Sequence, residues 1–247
     1  MKIYGLIGRS LIHSFSEKYF SEKFKKENIS DCEYRNFELK NLKNEIPELK
    51  NNPQIKGLNV TIPYKRDVFS FLDEITPQCK AVNACNCIKI KDDKWIGYNT
   101  DAIGFEKSFV PHLKPHQKRA LILGTGGASN AVAFVLEKLN IDFLKVSRSA
   151  QQYSKVITYN DISPELFLEY TIVINTTPLG TFPKIDECPD LPYQYITNQH
   201  YFFDLIYNPA KTLFLSLAAQ HGAVTCNGEK MLAIQAEESW RIWNDQV

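Results

Sequence analysis

The feature that most limits the folds open to this chain is an apolar run that enters a glycine-rich turn and then an amphipathic helix. The segment reads Arg119-Ala120-Leu121-Ile122-Leu123-Gly124-Thr125-Gly126-Gly127-Ala128-Ser129-Asn130-Ala131. Gly124 permits a tight turn, and Gly126 allows the backbone to approach a pyrophosphate closely. Free N–H groups and the dipole at the helix start then favour the phosphate charge. The segment predicts a dinucleotide site, with Ser129 in place of the third glycine; a strand-to-helix turn without a ligand is the alternative.

The residues that end the next predicted strand indicate which dinucleotide is bound. They are Val146-Ser147-Arg148-Ser149. A fold specific for NAD usually carries an acidic residue about twenty positions after the glycine loop, where it holds the ribose 2′-hydroxyl. Arg148 stands here instead, and a guanidinium binds a 2′-phosphate through two N–H groups. The sequence therefore predicts NADP, with an ordinary surface arginine as the alternative.

Short apolar runs alternate with amphipathic stretches along the rest of the chain. The predicted strands are 2–7, 32–38, 57–62, 84–91, 118–123, 142–147, 171–175, 201–206 and 223–226, and the predicted helices include 16–27, 63–72, 128–139 and 229–244. Such alternation is typical of parallel sheets covered by helices on both faces. One predicted hairpin interrupts it, at 84–100. A second sheet begins near residue 118, so we place a domain boundary within 102–117, and 247 residues are enough for two domains.

Charge and composition exclude several classes of protein. The 29 basic and 28 acidic side chains give a net charge of +1, without the basic excess of a nucleic-acid binder. No apolar run approaches the roughly 18–20 residues that span a bilayer, and the first eight residues are typical of a strand rather than a signal peptide. The six cysteines form no C-x-x-C pair, and the five histidines do not cluster with them. We expect a cytoplasmic, reduced protein with no metal, nucleic-acid or membrane partner.

A second informative stretch, 57–65, combines a strand with a charged residue. Asn59 and Thr61 share one face of the predicted strand, opposite its apolar residues. Pro63 suits the first position of a helix, which places Lys65 in the first turn. The helix dipole disfavours an ammonium group there, which would ease transfer of a proton from it. A solvated surface lysine is the alternative.

Two further segments place polar residues at predicted helix starts. Asp101 precedes a helical segment, where it suits an N-cap as well as a functional role. Ser14 with Glu17 resembles a capping box. The hydroxyls of Ser14 and Ser16 at a helix start also suit a carboxylate ligand.

Two amides in apolar surroundings complete the set of candidate residues. Asn86 alternates with Cys85 and Cys87, so its side chain points away from two cysteines that we expect in the core. Gln235 lies on the apolar stripe of the last predicted helix. Its amide must find a hydrogen-bond partner there, either in the protein or in a ligand.

Together these segments resemble the shikimate dehydrogenase family from one end of the chain to the other. The matching motifs are, in order, Gly8-Arg9-Ser10-Leu11-Ile12-His13-Ser14-Phe15-Ser16, Asn59-Val60-Thr61-Ile62-Pro63-Tyr64-Lys65, Asn99-Thr100-Asp101 with Gly104-Phe105, Asn175-Thr176-Thr177-Pro178-Leu179-Gly180, Asp204-Leu205-Ile206-Tyr207-Asn208-Pro209, and Asn227-Gly228-Glu229-Lys230-Met231-Leu232 with Gln235-Ala236. Each motif is modest evidence alone, but all of them occur in the right order. Departures at Arg9, Glu17 and Asn83 concern loop geometry, and none removes a matched polar residue.

The resemblance implies an α/β fold of two domains, a Rossmann-like NADP-binding domain and an α/β substrate-binding domain with a mostly parallel sheet. Residues 1–101 with 229–247 would form the substrate domain, and residues 102–228 the NADP domain. The implied enzyme is an oxidoreductase that reversibly reduces 3-dehydroshikimate to shikimate with NADPH, in chorismate and aromatic amino acid biosynthesis. The implied partners are the small-molecule substrate and NADP, bound by a monomer or a homodimer.

The resemblance also implies roles for individual residues. Lys65 and Asp101 would be catalytic, because they would flank the reacting alcohol or ketone and support proton transfer. Ser14 and Ser16 would hold the substrate carboxylate. Further substrate contacts would come from Asn59, Thr61, Lys65, Asn86, Asp101, Tyr207 and Gln235. The cofactor contacts would come from Gly124, Gly126, Gly127, Ala128, Ser147, Arg148, Ser149, Thr176, Pro178, Leu205, Gly228 and Met231.

Two other functions stay open on the sequence alone. One is a related dehydrogenase that acts on quinate with NAD, and Arg148 and the paired serines argue against it. The other is a nucleotide-binding regulator that keeps the fold and has lost catalysis. Such a regulator has no need of both Lys65 and Asp101.

Overall fold

The computed structural model describes residues 1–11, 14–149 and 155–246, so Ile12 and His13 of the first matching motif lie outside the described residues. The strands are β1 (Lys2–Gly8), β2 (Cys32–Glu38), β3 (Ile55–Val60), β4 (Glu74–Ile75), β5 (Cys87–Lys91), β6 (Lys94–Tyr98), β7 (Arg119–Leu123), β8 (Asp142–Ser147), β9 (Val156–Thr158), β10 (Ile172–Asn175), β11 (Tyr201–Asp204) and β12 (Val224–Cys226). The helices are α1 (Phe15–Lys26), α2 (Leu42–Lys50), α3 (Pro77–Val82), α4 (Asp101–Phe109), α5 (Gly127–Lys138), α6 (Pro164–Glu169), α7 (Leu213–Gln220) and α8 (Glu229–Trp243).

The chain divides into two compact units. Unit 1 comprises Met1–Ile103 and Leu232–Val247, and unit 2 comprises Gly104–Met231. The division therefore falls within α4 and near the start of α8. In the part of the chain that the structure describes, no helix combines the length and the apolar character needed to cross a bilayer.

Unit 1 is built on a six-stranded sheet in the order β2-β1-β3-β5-β6-β4. β1 is parallel to β2 and β3, whereas β5 is antiparallel to both β3 and β6. β6 therefore runs in the same direction as β1 and β3, and the carboxyl ends of these three strands lie at one edge of the sheet. Thr61 follows β3 at this edge and Asn99 follows β6.

The predicted hairpin within 84–100 is confirmed. β5 and β6 pair antiparallel, with Lys91 opposite Lys94. The two residues between them, Asp92 and Asp93, have φ angles of 50° and 60°. Consecutive positive φ angles are what a two-residue hairpin turn of type I′ requires, and a short polar side chain tolerates them better than most.

The predicted helix at 63–72 is wrong. Turns occupy 62–66, and a 3₁₀ helix, Asp67–Phe71, follows. The Lys65 carbonyl accepts a hydrogen bond from the Cys85 N–H at 2.8 Å, so this backbone is bonded to the segment that leads into β5 rather than to a helical turn. Lys65 consequently does not lie in the first turn of an α-helix, and the dipole argument for it fails.

The helix α8 is anchored on the unit 1 sheet through its last turn. The Trp243 indole N–H donates to the Ile88 carbonyl at 3.0 Å, and its ring stacks on Tyr4 with centroids 4.8 Å apart. A Cβ at Gly57 would overlap the Trp243 ring, so only glycine at this position of β3 admits the indole. This packing fixes the helix that carries Gln235.

Unit 2 contains a second six-stranded sheet, in which every pair is parallel, in the order β12-β11-β10-β7-β8-β9. This is the doubly wound strand order of dinucleotide-binding folds. The direction of winding reverses between β7 and β10, and such sheets bind ligands outside the carboxyl ends of the strands at that point. The predicted α/β class is confirmed, and each predicted strand agrees with an observed one to within three residues at either end.

Candidate active site

The carboxyl edge of the unit 1 sheet carries an ion pair. Lys65 Nζ lies 2.6 Å from Asp101 Oδ2, and the two side chains are 18% and 6% exposed. A charged group with so little exposure to water needs a partner of opposite charge, and Lys65 and Asp101 are partners for each other. Within the described residues Lys65 makes no other side-chain hydrogen bond, so two ammonium hydrogens remain to hold a ligand oxygen. The structure thus brings together the two residues that the sequence singled out for proton transfer.

Asn99, rather than Asp101, caps α4. Asp101 is the first residue of the helix, and Asn99 Oδ1 accepts from the Ala102 N–H at 3.0 Å. Asn99 Nδ2 donates to the Ala84 carbonyl at 2.7 Å, and the residue is buried. The capping role considered for Asp101 is therefore wrong, because Asp101 is the first residue of the helix and the capping bond comes from Asn99. The Asp101 carboxylate pairs with Lys65 instead.

Asn86 fixes the segment that precedes Asp101. Its Oδ1 accepts from the Thr100 N–H at 2.6 Å, and its Nδ2 donates to Thr100 Oγ1 at 3.0 Å. Both Asn86 and Thr100 are buried. One N–H hydrogen and one lone pair of the Asn86 amide remain for a ligand.

Asn59 lies at the same edge, and its amide is almost fully bonded. Nδ2 donates to Ser239 Oγ at 2.8 Å and to the Asn86 carbonyl at 3.2 Å. Oδ1 accepts from the Tyr34 hydroxyl at 2.9 Å. Sequence reasoning missed both partners: Ser239 lies one turn after Gln235 on the same helix face, a usable signal, whereas no pattern marks Tyr34. Only the second lone pair of Asn59 Oδ1 is left for a ligand.

The two serines proposed for carboxylate binding lie at the start of α1. Ser14 is the N-cap residue, and its Oγ accepts from the Glu17 N–H at 3.3 Å, which confirms half of the predicted capping box. The other half does not form, because the Ser14 N–H donates to the Leu11 carbonyl and the Glu17 carboxylate accepts from Asn36 Nδ2. Capping uses Ser14 as an acceptor, so its hydroxyl hydrogen is compatible with a carboxylate ligand. The Ser16 hydroxyl lies by the Tyr34 phenol and lowers its pKa, so Ser16 would have to turn its hydrogen away from Tyr34 to bind a carboxylate.

Thr61 and Gln235 are both half-buried residues of unit 1. Thr61 directly follows β3, and Gln235 lies in the second turn of α8. Neither side chain makes a hydrogen bond within the described residues. A half-buried amide or hydroxyl without a protein partner is suited to a polar ligand.

The glycine-rich turn of unit 2 joins β7 to α5. Gly124 has a φ of 109°, which favours glycine, and a Cβ there would lie 2.8 Å from Thr176 Oγ1. A Cβ at Gly126 or Gly127 would instead meet no protein atom within 4 Å. Gly124 is therefore required by the turn itself, whereas Gly126 and Gly127 leave the approach to the helix start open. This arrangement fits a dinucleotide pyrophosphate.

The start of α5 offers backbone donors. Gly126 is its N-cap residue and supplies no side-chain cap, so the first N–H groups, including that of Ala128, have no helical partner. Ser129, at the third glycine position, is fully buried, and its hydroxyl donates to the Gly126 carbonyl at 2.6 Å. Ser129, which replaces the third glycine, thus stabilises the turn through this hydrogen bond and does not cover the start of the helix.

Other residues predicted for the cofactor follow the carboxyl ends of the unit 2 strands. Thr176 follows β10, and its hydroxyl donates to the Leu123 carbonyl at 2.6 Å, at the point where the winding reverses. Leu205 follows β11, and Gly228 lies shortly after β12. Gly228 packs so closely on the Leu205 carbonyl that a Cβ at this position would overlap the carbonyl oxygen. Unit 2 also contains the remaining predicted residues Pro178, Tyr207 and Met231.

Arg148 is exposed directly after β8, the strand next to β7. Ser147 ends that strand, and its Oγ accepts from the Ser149 N–H at 3.4 Å, which orders the turn around the arginine. Burial raises the pKa of Tyr159, and the nearby Arg148 guanidinium offsets part of that rise. An exposed guanidinium one strand away from the glycine turn suits a 2′-phosphate.

A buried carboxylate holds the loop after β11, a role that the sequence did not reveal. Asp204 accepts from the Thr212 hydroxyl at 2.6 Å and from the Ile206 N–H at 3.1 Å. It also accepts from Asn175 Nδ2 at 3.1 Å. Burial raises the pKa of Asp204 to about 6, and these hydrogen bonds limit the rise. Asp204 therefore fixes the loop that carries Tyr207.

Comparison with known proteins decides the family. The family model of the shikimate dehydrogenase substrate binding domain matches residues 6–88. Shikimate dehydrogenase (NADP(+)) from Caldicellulosiruptor saccharolyticus is 36% identical over 262 residues, which cover 100% of this chain and 94% of that protein. The chain belongs to the shikimate dehydrogenase family. The resemblance inferred from the motifs is confirmed.

Solved structures of shikimate dehydrogenases share the fold of this family member. A chorismate mutase/shikimate 5-dehydrogenase fusion protein from Clostridium acetobutylicum has a TM-score of 0.88 and 36% identity, covering 99% of this chain and 91% of that one. Shikimate 5-dehydrogenase from Thermus thermophilus, in complex with NADP(H) and shikimate, has a TM-score of 0.86 and 26% identity, covering 99% and 94%. The agreement extends over both units of the chain.

Proposed function

We propose that this member of the shikimate dehydrogenase family reversibly reduces 3-dehydroshikimate to shikimate with NADPH, a reaction of chorismate biosynthesis. The observation that carries the proposal is the Lys65–Asp101 ion pair, with its 2.6 Å distance and its low exposure. The Caldicellulosiruptor relative is an NADP(+) enzyme, and the Thermus structure contains NADP(H) and shikimate. Both comparisons support the same reaction.

The polar groups of unit 1 suit shikimate, which is a cyclohexene carboxylate with several hydroxyl groups. Ser14 and Ser16 offer hydroxyl hydrogens to the carboxylate at the start of α1. Asn86 and Gln235 offer amides that both donate and accept, as ring hydroxyls require. Thr61 adds a hydroxyl directly after β3.

The reaction adds a hydride and a proton to one ring carbonyl. NADPH, when bound by unit 2, would supply the hydride for the carbonyl carbon. Lys65 donates a hydrogen bond to the carbonyl oxygen, polarises it, and transfers a proton to it as the C=O double bond becomes a single bond. Asp101 orients the ammonium throughout, and the 18% exposure of Lys65 lets water restore its proton. In the reverse direction the same pair removes the hydroxyl proton.

The residues of unit 2 fit NADP as its binding partner. Gly126 and Gly127 leave room at the start of α5 for a pyrophosphate, which the unpaired N–H groups would bind. Arg148, between Ser147 and Ser149, would bind the 2′-phosphate. Thr176, Leu205, Gly228 and the other predicted residues of the strand ends would contact the rest of the cofactor.

An absorbance assay of reduced nicotinamide tests the proposal. Purified protein is mixed with shikimate and NADP, and parallel reactions contain NAD in place of NADP or quinate in place of shikimate. We expect rapid NADPH formation with shikimate. A preference for quinate or NAD would assign the protein to the sister activity. Measurable cofactor binding without turnover of any pair would refute the proposal in favour of a regulatory protein.

A further inference from the structure

Two residues with no part in the proposed reaction, Tyr34 and Ser239, hold the side chain of Asn59. Tyr34 lies in β2 and Asn59 in β3, and β1 separates these strands. Neighbouring strands lie about 4.8 Å apart, so the tyrosine reaches roughly 10 Å across the sheet to the amide. Tyr34 is 7% exposed, and its ring stacks on Phe20 with centroids 4.6 Å apart. The hydroxyl is therefore held in place by the packing of its ring.

The surroundings of Asn59 fix the direction of its amide. The Asn86 carbonyl can only accept, so the Asn59 atom that lies 3.2 Å from it is Nδ2. Oδ1 then faces Tyr34, whose hydroxyl donates its single hydrogen at 2.9 Å. Burial raises the pKa of the Tyr34 phenol, and the Ser16 hydroxyl lowers it by less, so this hydrogen stays in place at neutral pH.

Asn59 can form a further hydrogen bond with a ligand only as an acceptor. Ser239 Oγ and the Asn86 carbonyl take its two N–H hydrogens. Asn59 therefore presents an acceptor and no donor to a ligand. A carboxylate can only accept and gains nothing there, whereas a hydroxyl can donate.

We propose that Tyr34 and Ser239 are positioning residues, which make Asn59 select a hydroxyl group of the substrate rather than its carboxylate. The inference rests on the proposed function, because it takes a polyhydroxylated carboxylic acid as the substrate. The selected hydroxyl is a non-reacting one, since the reacting oxygen faces Lys65 and Asp101. Asn59 then contributes equally to the binding of the substrate and of the transition state.

The first test is Tyr34→Phe, which removes the hydroxyl and keeps the ring. Asn59 loses the donor that holds its Oδ1 in place, so the KM for shikimate should rise by up to about tenfold, the effect of one hydrogen bond. The kcat should change less than about threefold, because a uniform binding interaction acts on KM alone. The KM for NADP should stay within about twofold. If the role of Tyr34 were purely structural, Tyr34→Phe would lower the midpoint of thermal unfolding without a selective rise in the KM for shikimate.

A matched control and a second variant accompany it. Tyr4→Phe deletes a phenol hydroxyl from a residue that is 2% exposed and that pairs with Tyr34 in the register of β1 and β2. No hydrogen bond of Asn59 involves Tyr4. Ser239→Ala frees Asn59 Nδ2 but leaves Tyr34 and Ser16 unchanged, so it separates the effect at Asn59 from any effect on Ser16.

The outcomes distinguish this inference from the proposed function. A selective rise in the KM for shikimate in Tyr34→Phe and Ser239→Ala, but not in Tyr4→Phe, supports it. A KM within about twofold of the unmodified enzyme in both variants, or an equal rise in Tyr4→Phe, overturns it while the proposed function stands. If the unmodified protein neither binds shikimate in a calorimeter nor turns it over, the proposed function fails and the inference fails with it.

Discussion

Lys65 Nζ and Asp101 Oδ2 lie 2.6 Å apart, although the two residues are 36 positions apart in the sequence. The turn after β3 supplies the lysine, and the first residue of α4 supplies the aspartate. The bond from the Cys85 N–H to the Lys65 carbonyl holds one side, and Asn86 and Asn99 hold the other. The distance between the two charged groups is therefore set by the backbone on both sides.

Lys65→Met should abolish turnover while leaving ligand binding largely intact. The variant lacks the group that donates the proton, and general acid–base catalysis typically contributes about 10²–10⁴-fold in rate. Steady-state kinetics should show a fall in kcat of that order, and calorimetry should show a Kd for NADP within about twofold of the original. Lys80→Met, at an exposed lysine of α3, is the control. Unchanged turnover in Lys65→Met would refute the assigned role.

Arg148→Ala should weaken binding of NADP much more than binding of NAD. The guanidinium would form charge-assisted hydrogen bonds with the 2′-phosphate, and NAD has no such group, so we expect a loss of at least about tenfold for NADP alone. Calorimetric titration with each cofactor measures both values. Arg119→Ala is the control. Arg119 begins β7, at the end of the strand away from the glycine turn, so this variant should change the affinity for neither NADP nor NAD. Equal losses for NADP and NAD would contradict the assignment.

Much of the fold was predictable because its signals are local. The bounds of β2 and β8, 32–38 and 142–147, agree with the predicted strands at both ends. The failed helix at 63–72 shows the limit of such signals. A hydrogen bond from Cys85 to the Lys65 carbonyl, made between segments distant in the sequence, outweighs the local preference there.

The candidate site was predictable only where a residue belongs to a motif. Lys65 and Asp101 were found in this way, although Asp101 alone was equally well explained as a helix cap. Tyr34 was missed because no pattern marks an isolated tyrosine in a strand, whereas the position of Ser239, one turn after Gln235 on the same helix face, is a signal that could have found it. Asp204 was part of a motif, but its role depends on burial that the sequence does not display.

Alanine at two positions of the glycine turn should separate cofactor binding from stability. Gly126 has a φ of −80° and open space above it, so Gly126→Ala should fold normally and bind NADP at least about tenfold more weakly. Gly124→Ala forces a φ of 109° on a residue with a Cβ and crowds Thr176, so it should lower the free energy of unfolding by about 1–3 kcal/mol. Calorimetric titration and chemical denaturation measure the two effects. Equal stability losses in both variants would contradict this division of roles.

The buried carboxylate of Asp204 should make the stability of the protein depend on pH. Burial raises its pKa from 3.8 to about 6. Between these values the folded protein binds more protons at this group than the unfolded chain does, so the free energy of unfolding falls as the pH rises. A shift of about two pKa units corresponds to about 3 kcal/mol. This stability is fully present below pH 3.8 and is lost as the pH rises through about 6.

Asp204→Asn should remove that dependence, because an amide does not ionise. The amide oxygen can still accept from the Ile206 N–H, and the amide N–H can donate to the Thr212 hydroxyl, which then acts as the acceptor. Chemical denaturation of both proteins at several pH values from 4 to 8 measures the difference. The variant should gain stability relative to the original protein as the pH rises through 6, by up to about 3 kcal/mol. Parallel stability curves over the whole range would show that the pKa of Asp204 is not raised.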